Sequence, residues 1–212
     1  MKIAAGICEQ GVVVGNSYDK YGSRNPVVRR LMNGFEVSLQ TLVKKSESRE
    51  IHEVGCGEGY WTSRWLEEGY KARGSDFSTH AIELARTNAA LRAVRPEFKV
   101  ASIYDLVTPQ DSAELVVCCE VLEHLEYPER ALQVLKSLVG RYLIVSVPCE
   151  PIWRILNLAR GSYCAALGNT PGHLQHWSKK AFIALVSQQF EIVETLSPFP
   201  WSMILARPKP QT

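Results

Sequence analysis

The chain has 212 residues, enough for one α/β domain with a core of its own. Apolar residues make up 46% and charged residues 22%, as in an ordinary soluble globular protein, and a net charge of only +2 gives no reason to expect nucleic acid or an anionic membrane as partner. The six cysteines, Cys8, Cys56, Cys118, Cys119, Cys149 and Cys164, form no C-x-x-C pair, which excludes a zinc ribbon and fits reduced thiols in a cytoplasmic protein.

Lys2 and a short apolar stretch broken by Glu9 and Gln10 make a poor signal peptide, and no run approaches the ~20 apolar residues of a membrane span. Ser17-Tyr18-Asp19-Lys20-Tyr21-Gly22 reads as a polar-aromatic loop without periodicity. Asn25 as N-cap and Pro26 as first helical residue predict a helix to about Lys44. From residue 50 onward strand-like and helix-like stretches alternate, which predicts a parallel sheet with helices on both faces. The strands fall at 50–54, 70–75 with Asp76 at the end, 98–103, 114–119 and 142–147, the last stopped by Pro148. The helices between them cover 60–68, 79–93 capped by Ser78, and Pro128 to about Leu138. The rhythm breaks over 149–177, a segment rich in aromatics, Arg and Gly. Ser178 then caps a helix to about Gln189, and strands near 190–196 and 202–207, with Pro198 and Pro200 between them, predict an antiparallel edge hairpin that completes seven strands.

The most informative stretch is Ile51-His52-Glu53-Val54-Gly55-Cys56-Gly57-Glu58-Gly59-Tyr60-Trp61-Thr62. A strand that ends in alternate glycines and turns into a helix brings bare backbone close to a ligand. Dinucleotide sites use G-x-G-x-x-G for a pyrophosphate, whereas here the spacing is G-x-G-x-G, with Tyr60 where the third dinucleotide glycine would stand. Glu53 and Glu58 flank the loop, where carboxylates would repel a pyrophosphate and favour a ligand bearing an ammonium and a sulfonium. Asp76, 21 positions after Gly55, is placed to accept hydrogen bonds from ribose hydroxyls, or to cap the helix that follows. At the end of the fourth strand stands Cys119-Glu120-Val121-Leu122-Glu123-His124-Leu125, on the sheet edge where open α/β sheets bind ligands.

The glycine loop resembles motif I of the class I S-adenosylmethionine (SAM) methyltransferases, acidic-x-Gly-x-Gly-x-Gly. The run Glu120–Leu125 is similar to the post-strand motif of the type 11 and ubiquinone-biosynthesis methyltransferases. The likeness covers residues 50–148, with weaker likeness in the flanks. It implies a Rossmann-like fold, SAM as cofactor and methyl transfer as reaction, over one domain with an N-terminal lid and helix at 1–48 and an acceptor-side insertion at 149–177. Carried over residue by residue, it places the cofactor against Tyr18, Glu53, Gly55, Gly57, Gly59, Asp76, Phe77, Ser102, Ile103, Glu120 and Val121. Ser102 stands where the family often has an acidic residue beside adenine, though the backbone at Ile103 serves with any side chain. Tyr18 or Tyr21 would close over the methionine end, or simply pack the lid on the sheet. Glu120, Glu123 and His124 form an E-x-x-E-H cluster that in ubiquinone O-methyltransferases is associated with a divalent metal, but many relatives carry the motif without one, and no metal is assigned.

The insertion holds Trp153, Arg154, Arg160, Tyr163, His173, His176 and Trp177, and its short apolar helix, Pro151 to Arg160, would pack on the core, cover an apolar acceptor or touch a lipid surface. His124, His173 and His176 are the candidate catalytic bases, since an imidazole near its ordinary pKa suits proton removal from a hydroxyl. The expectation is a SAM-dependent methyltransferase acting at oxygen on a small, aromatic or lipid-like acceptor. The alternatives are a non-catalytic SAM-binding module and, against the loop's spacing and charge, an NAD-dependent oxidoreductase. The sequence has no N/D-P-P-Y/F motif and no basic stripe, which disfavours nucleic acid as substrate, and it leaves oligomeric state open.

Overall fold

Helix α1 (Pro26–Ser46) starts where Asn25 accepts a hydrogen bond from the Val27 N–H (2.9 Å), and it ends at Glu47, which turns left-handed. Its Phe35, Leu39, Leu42 and Val43 recur at helical spacing and are buried against the sheet. The computed structural model describes residues 1–9, 12–16, 18–159, 161 and 163–210; the sequence readings at Gln10, Ser17 and Arg160 lie outside them.

A small ladder, β1 (Cys8–Glu9) with β2 (Val12–Val13), precedes α1. The main sheet contains β3 (Glu50–Val54), β4 (Lys71–Asp76), β5 (Glu97–Val100), β6 (Ala113–Cys119), β7 (Val139–Pro148), β8 (Phe190–Leu196) and β9 (Trp201–Pro208). Its order is β5-β4-β3-β6-β7-β9-β8. The first five strands pair in parallel, and β9 runs antiparallel to both of its neighbours, inserted between β7 and the edge strand β8. The expected seven-stranded, mostly parallel sheet with an antiparallel edge hairpin is thus what the chain forms.

Alternation along β6 feeds two cores. Leu115 and Val117 face α1 and α2 (Tyr60–Glu67), with Leu39, Leu42, Trp65 and Leu205. Val116 and Cys118 face α4 (Pro128–Leu138) and α6 (Lys179–Val186), with Leu132, Leu135, Phe182 and Val186. Helix α3 (Thr79–Leu91) packs Ile82, Ala85 and Ala89 on Phe98 of β5. Strand β5 stops three residues short of its predicted end, because Ser102 turns the chain: its hydroxyl accepts from the Tyr104 N–H (3.3 Å) and opens a single 3₁₀ turn, Ile103–Asp105.

Strand order reverses between β3 and β6, so the crevice at their C-terminal ends is the topological switch point of the sheet. Among the described residues, no helix is long and apolar enough to cross a membrane.

Candidate cofactor and acceptor site

After β3 the chain is fastened to β4: the Gly55 and Cys56 N–H groups both donate to the Ser75 carbonyl (2.7 and 3.0 Å). Gly55, Gly57 and Gly59 have φ of +78°, +50° and +76°, a region that glycine enters without strain. They are glycines for different reasons. A Cβ on Gly55 would collide with Val121 Cγ2, and one on Gly59 would lie 2.6 Å from the Phe98 ring and 2.9 Å from Ala85. A Cβ on Gly57 would meet nothing within 4 Å, so that glycine's Cβ side is open space.

The carboxyls divide the work around this loop. Gly59 caps α2 without a side chain, and Glu53 supplies what it lacks: Oε2 accepts from the Thr62 N–H (2.9 Å) and from the Thr62 hydroxyl. Burial pushes the Glu53 carboxyl up to about 8, against the pull of the two Thr62 bonds. Glu58, expected to face a ligand alongside Glu53, faces the N-terminal segment instead. Its oxygens accept from Ala4 N (3.1 Å), Asn16 N (2.7 Å) and Asn16 Nδ2 (2.6 Å), which pins residues 4 and 16 over the loop. Asp76 accepts from Gly57 N (2.9 Å) and Ser78 N (3.0 Å), and each oxygen keeps a further lone pair. Burial raises its pKa, opposed by those backbone bonds.

The other predicted cofactor residues are placed as follows. Phe77 packs on Ala4, Val14 and Ala81 beneath the N-terminal segment. Ser102 caps its turn, Ile103 is buried in the core, and the neighbouring Ala101 N–H donates to the Asp76 carbonyl (2.9 Å). Tyr18 is exposed, whereas Tyr21 stacks on Tyr60 (ring centroids 3.7 Å apart, 8° between planes) and meets Trp61 edge-on.

Across the switch point, Glu120 follows β6 with φ +58°, an unusual conformation for a non-glycine residue. Its N–H donates to the Ser146 carbonyl (3.1 Å), Oε1 accepts from the Ser146 hydroxyl (2.9 Å) and Oε2 accepts from the Trp201 indole N–H (2.6 Å). Burial pushes its carboxyl up to about 7, while Lys20 and these bonds favour the charged form. Glu120 therefore points toward β7 and β9, away from the E-x-x-E-H arrangement read from the sequence. Glu123 is buried, with neither carboxyl oxygen hydrogen-bonded, and burial followed by the Glu120 charge holds it well above the usual carboxylate range.

The segment after α5 (Ile152–Ala159) docks on this strand end because Leu174 N and Gln175 N donate to the Glu123 carbonyl (2.8 and 3.0 Å). That docking brings His173 edge-on to His124 (4.8 Å) and near Trp153 (6.3 Å). His124 Nδ1 lies 2.9 Å from the Gly172 carbonyl, so it carries the proton and leaves the Nε2 lone pair free. Burial lowers the His124 pKa and, helped by the other two imidazoles, brings His173 down to about 3, so both rings are neutral near pH 7. Glu123, His124 and His173 place ligand atoms within 4.8 Å of one another, a set able to relay a proton or to hold a divalent cation. His176 is exposed and bonded to Asn169 Oδ1 (2.6 Å), outside this buried group. The sequence reading missed Trp201 and Ser146. The only available hint was that a tryptophan in a buried strand needs a partner for its N–H.

The geometry is matched by kinship. A family described as a methyltransferase domain matches residues 52–140, the glycine loop through α4. Over those residues, fewer than half of its length, the chain is similar to methyltransferase domains. A ubiquinone biosynthesis O-methyltransferase of Alkalilimnicola ehrlichii is 27% identical to this chain over 157 residues, covering 68% of the chain and 64% of that protein. Its counterpart in Bordetella avium is 26% identical over 102 residues, covering 48% of the chain and 42% of that protein, so the chain spans less than two thirds of either relative's length. Magnesium protoporphyrin IX methyltransferase from Synechocystis, solved with bound SAH (S-adenosylhomocysteine), shares the fold with a TM-score of 0.67, 18% identity and coverage of 91% of this chain and 94% of that one.

Proposed function

We propose that the chain is a single-domain, cytoplasmic enzyme that binds SAM and transfers its methyl group to a hydroxyl of a small-molecule acceptor. One observation carries the reading. His124, its Nδ1–H held by the Gly172 carbonyl and its Nε2 lone pair free, stands beside His173 on the same sheet edge as a glycine loop with an open face at Gly57. The O-methyltransferase names of the relatives support oxygen as the accepting atom.

The residues present fit the cofactor. The open side of Gly57 admits close approach, Asp76 has lone pairs for ribose hydroxyls, the backbone at Ser102 and Ile103 serves adenine, and Glu53, Glu120 and Val121 bound the methionine side, with Phe77 packed beneath and Tyr18 on the lid. Bound SAM supplies a methyl carbon already activated by its sulfonium. The protein's share is alignment, exclusion of water and custody of one proton. His124 Nε2 would take the acceptor's hydroxyl proton, and SAM, when bound, would supply the methyl group that replaces it. Trp153, Trp201 and His173 offer flat walls to a planar or apolar acceptor.

The test is a panel of phenolic and lipid-like alcohols with isotopically methyl-labelled SAM, alongside titration with SAM and NAD. His124→Ala is expected to lower turnover by about 10²-fold or more, as loss of a general base does, while His176→Ala stays near normal. SAM binding with no turnover on any acceptor would favour a non-catalytic module. Near-normal turnover in both His124→Ala and His173→Ala would remove histidine base catalysis.

A further inference from the structure

One side chain outside every sequence motif touches both the end of β6 and helix α5. Trp201 opens β9 opposite Pro148 of β7 and is almost wholly buried. Its ring lies 5.2 Å from Phe35 of α1 at 74°, and 5.7 Å from Trp153 of α5. The same corner is tied to the start of the acceptor segment by Cys149 N donating to the Pro200 carbonyl (2.9 Å). The indole has a single N–H, and it is spent on Glu120 Oε2 at 2.6 Å. Glu120 in turn holds a left-handed backbone, which persists only where its surroundings over-determine it. Here the surroundings are the Ser146 carbonyl, the Ser146 hydroxyl and Trp201. A hydrogen bond as short as the one from Trp201 fixes the plane of the carboxyl group and its free lone pairs in one direction.

We infer that Trp201 is a positioning residue for the cofactor's cationic end: its indole N–H holds the Glu120 carboxylate in the orientation that recognises the sulfonium of SAM, and its ring links that carboxylate to the acceptor helix α5. The inference rests on the proposed place of Glu120 beside the methionine end of SAM. Binding of SAM and of SAH separates the two ideas, because the two ligands differ at the sulfur, cationic in one and neutral in the other.

The experiment is calorimetric titration of the full chain with SAM and with SAH, for wild type, Glu120→Gln, Trp201→Phe and the double variant, with thermal melts to verify folding. Glu120→Gln is expected to lower the SAM-to-SAH affinity ratio about tenfold, and Trp201→Phe about fivefold with SAH affinity nearly unchanged, in keeping with a charge-assisted hydrogen bond. The double variant is expected to match Glu120→Gln, since residues acting through one contact are not additive. Trp201→His keeps a ring N–H on a smaller ring and is expected to hold the ratio within about twofold of wild type by the same reasoning. It stands in if Trp201→Phe does not fold, and a larger fall there with SAH unaffected would overturn the inference. An unchanged ratio in Glu120→Gln would remove Glu120 from the cofactor's cationic end, and the inference with it. A shifted ratio in Glu120→Gln but not in Trp201→Phe, or additive losses in the double variant, would overturn the role of Trp201 alone.

Discussion

Replacing single glycines by alanine separates what the loop does for the fold from what it does for a ligand. At Gly59 a methyl group would lie 2.6 Å from the Phe98 ring and 2.9 Å from Ala85, both held in the core beneath α3, and φ is +76°. Left-handed backbone costs an L-residue about 1–2 kcal/mol. Overpacking adds about 1–3 kcal/mol. Gly59→Ala should therefore destabilise the ligand-free protein by about 2–5 kcal/mol, which for a chain of this size lowers Tm by roughly 10 °C.

At Gly57 a methyl group would meet no protein atom within 4 Å, so only the backbone strain applies, about 1 kcal/mol and a few degrees of Tm. The same methyl group would occupy the space proposed for the cofactor. If the ligand cannot retreat, an overpacking cost of about 1–3 kcal/mol lowers affinity by roughly 10- to 100-fold. Thermal melts without ligand and calorimetry with SAH measure the two effects independently. A Gly57→Ala protein that binds SAH like wild type, or a Gly59→Ala protein that melts like wild type, refutes the division of labour.

Three further outcomes follow from the carboxyls. Glu58→Ala leaves the Ala4 and Asn16 N–H groups without their buried acceptor and should cost about 3 kcal/mol, with hydrogen exchange at residues 4 and 16 rising far above that of β3. At Asp111, burial would raise the carboxyl pKa, but the Lys99 ammonium and the Val107 N–H outweigh it, and the folded value lies below the ordinary one. A depressed carboxyl stabilises above its unfolded pKa and loses that contribution as pH falls through the folded value. Asp111→Asn should thus cost about 1 kcal/mol at pH 7, discounted because Lys99 is half exposed, and the gap in urea midpoint should close below about pH 4. Finally, Glu53 and Glu120, pushed up to about 8 and about 7, hold protons near neutrality, and an arriving cation favours their ionised forms. SAM binding at pH 7 should release more protons than SAH binding when enthalpies are compared across buffers of different ionisation heat, and Glu53→Gln should shrink the difference; equal release by both ligands would sink the idea.

The fold was legible where local pattern and tertiary environment agree. The apolar runs of β3 and β6 and the caps at Asn25, Ser78 and Ser178 say strand and helix before any packing is known, and they stand where the chain forms them. The same alternation says a mostly parallel sheet with an edge hairpin, but not the strand order or the insertion of β9 between β7 and β8, which long-range pairing decides. The site was legible only in part. Glycine spacing marked the loop but could not tell Gly57, open on its Cβ side, from Gly55 and Gly59, which are packed against protein. Glu58 looked like a ligand-facing acid because its partners, residues 4 and 16, lie in a segment without periodicity. His173 and His176 are three residues apart in an irregular stretch, where no helical or strand period says which turns inward; backbone bonds to Glu123 decide it. The contact between Trp201 and Glu120 joins positions 81 residues apart, beyond any local rule.

The acid-rich sheet edge has a physical logic that the loop spacing alone only hinted at. Glu53, Asp76, Glu120 and Glu123 all have carboxyl pKa values raised chiefly by burial. Four ionised carboxylates in one buried crevice would repel one another and lack solvation, which is why burial favours the neutral form of each. Such a crevice is hostile to a pyrophosphate in every protonation state: neutral acids offer it no positive charge and ionised ones repel it. A ligand with an ammonium and a sulfonium reverses the balance, since each cation stabilises an ionised form that burial had disfavoured. Under the proposed function the balance reverses again when the methyl group leaves, because the product keeps the ammonium but loses the sulfonium. The carboxylate facing that sulfur is then buried without its counter-charge, a state that regaining a proton or exchanging product for fresh cofactor relieves, so the same buried acids that select the cofactor also favour its turnover.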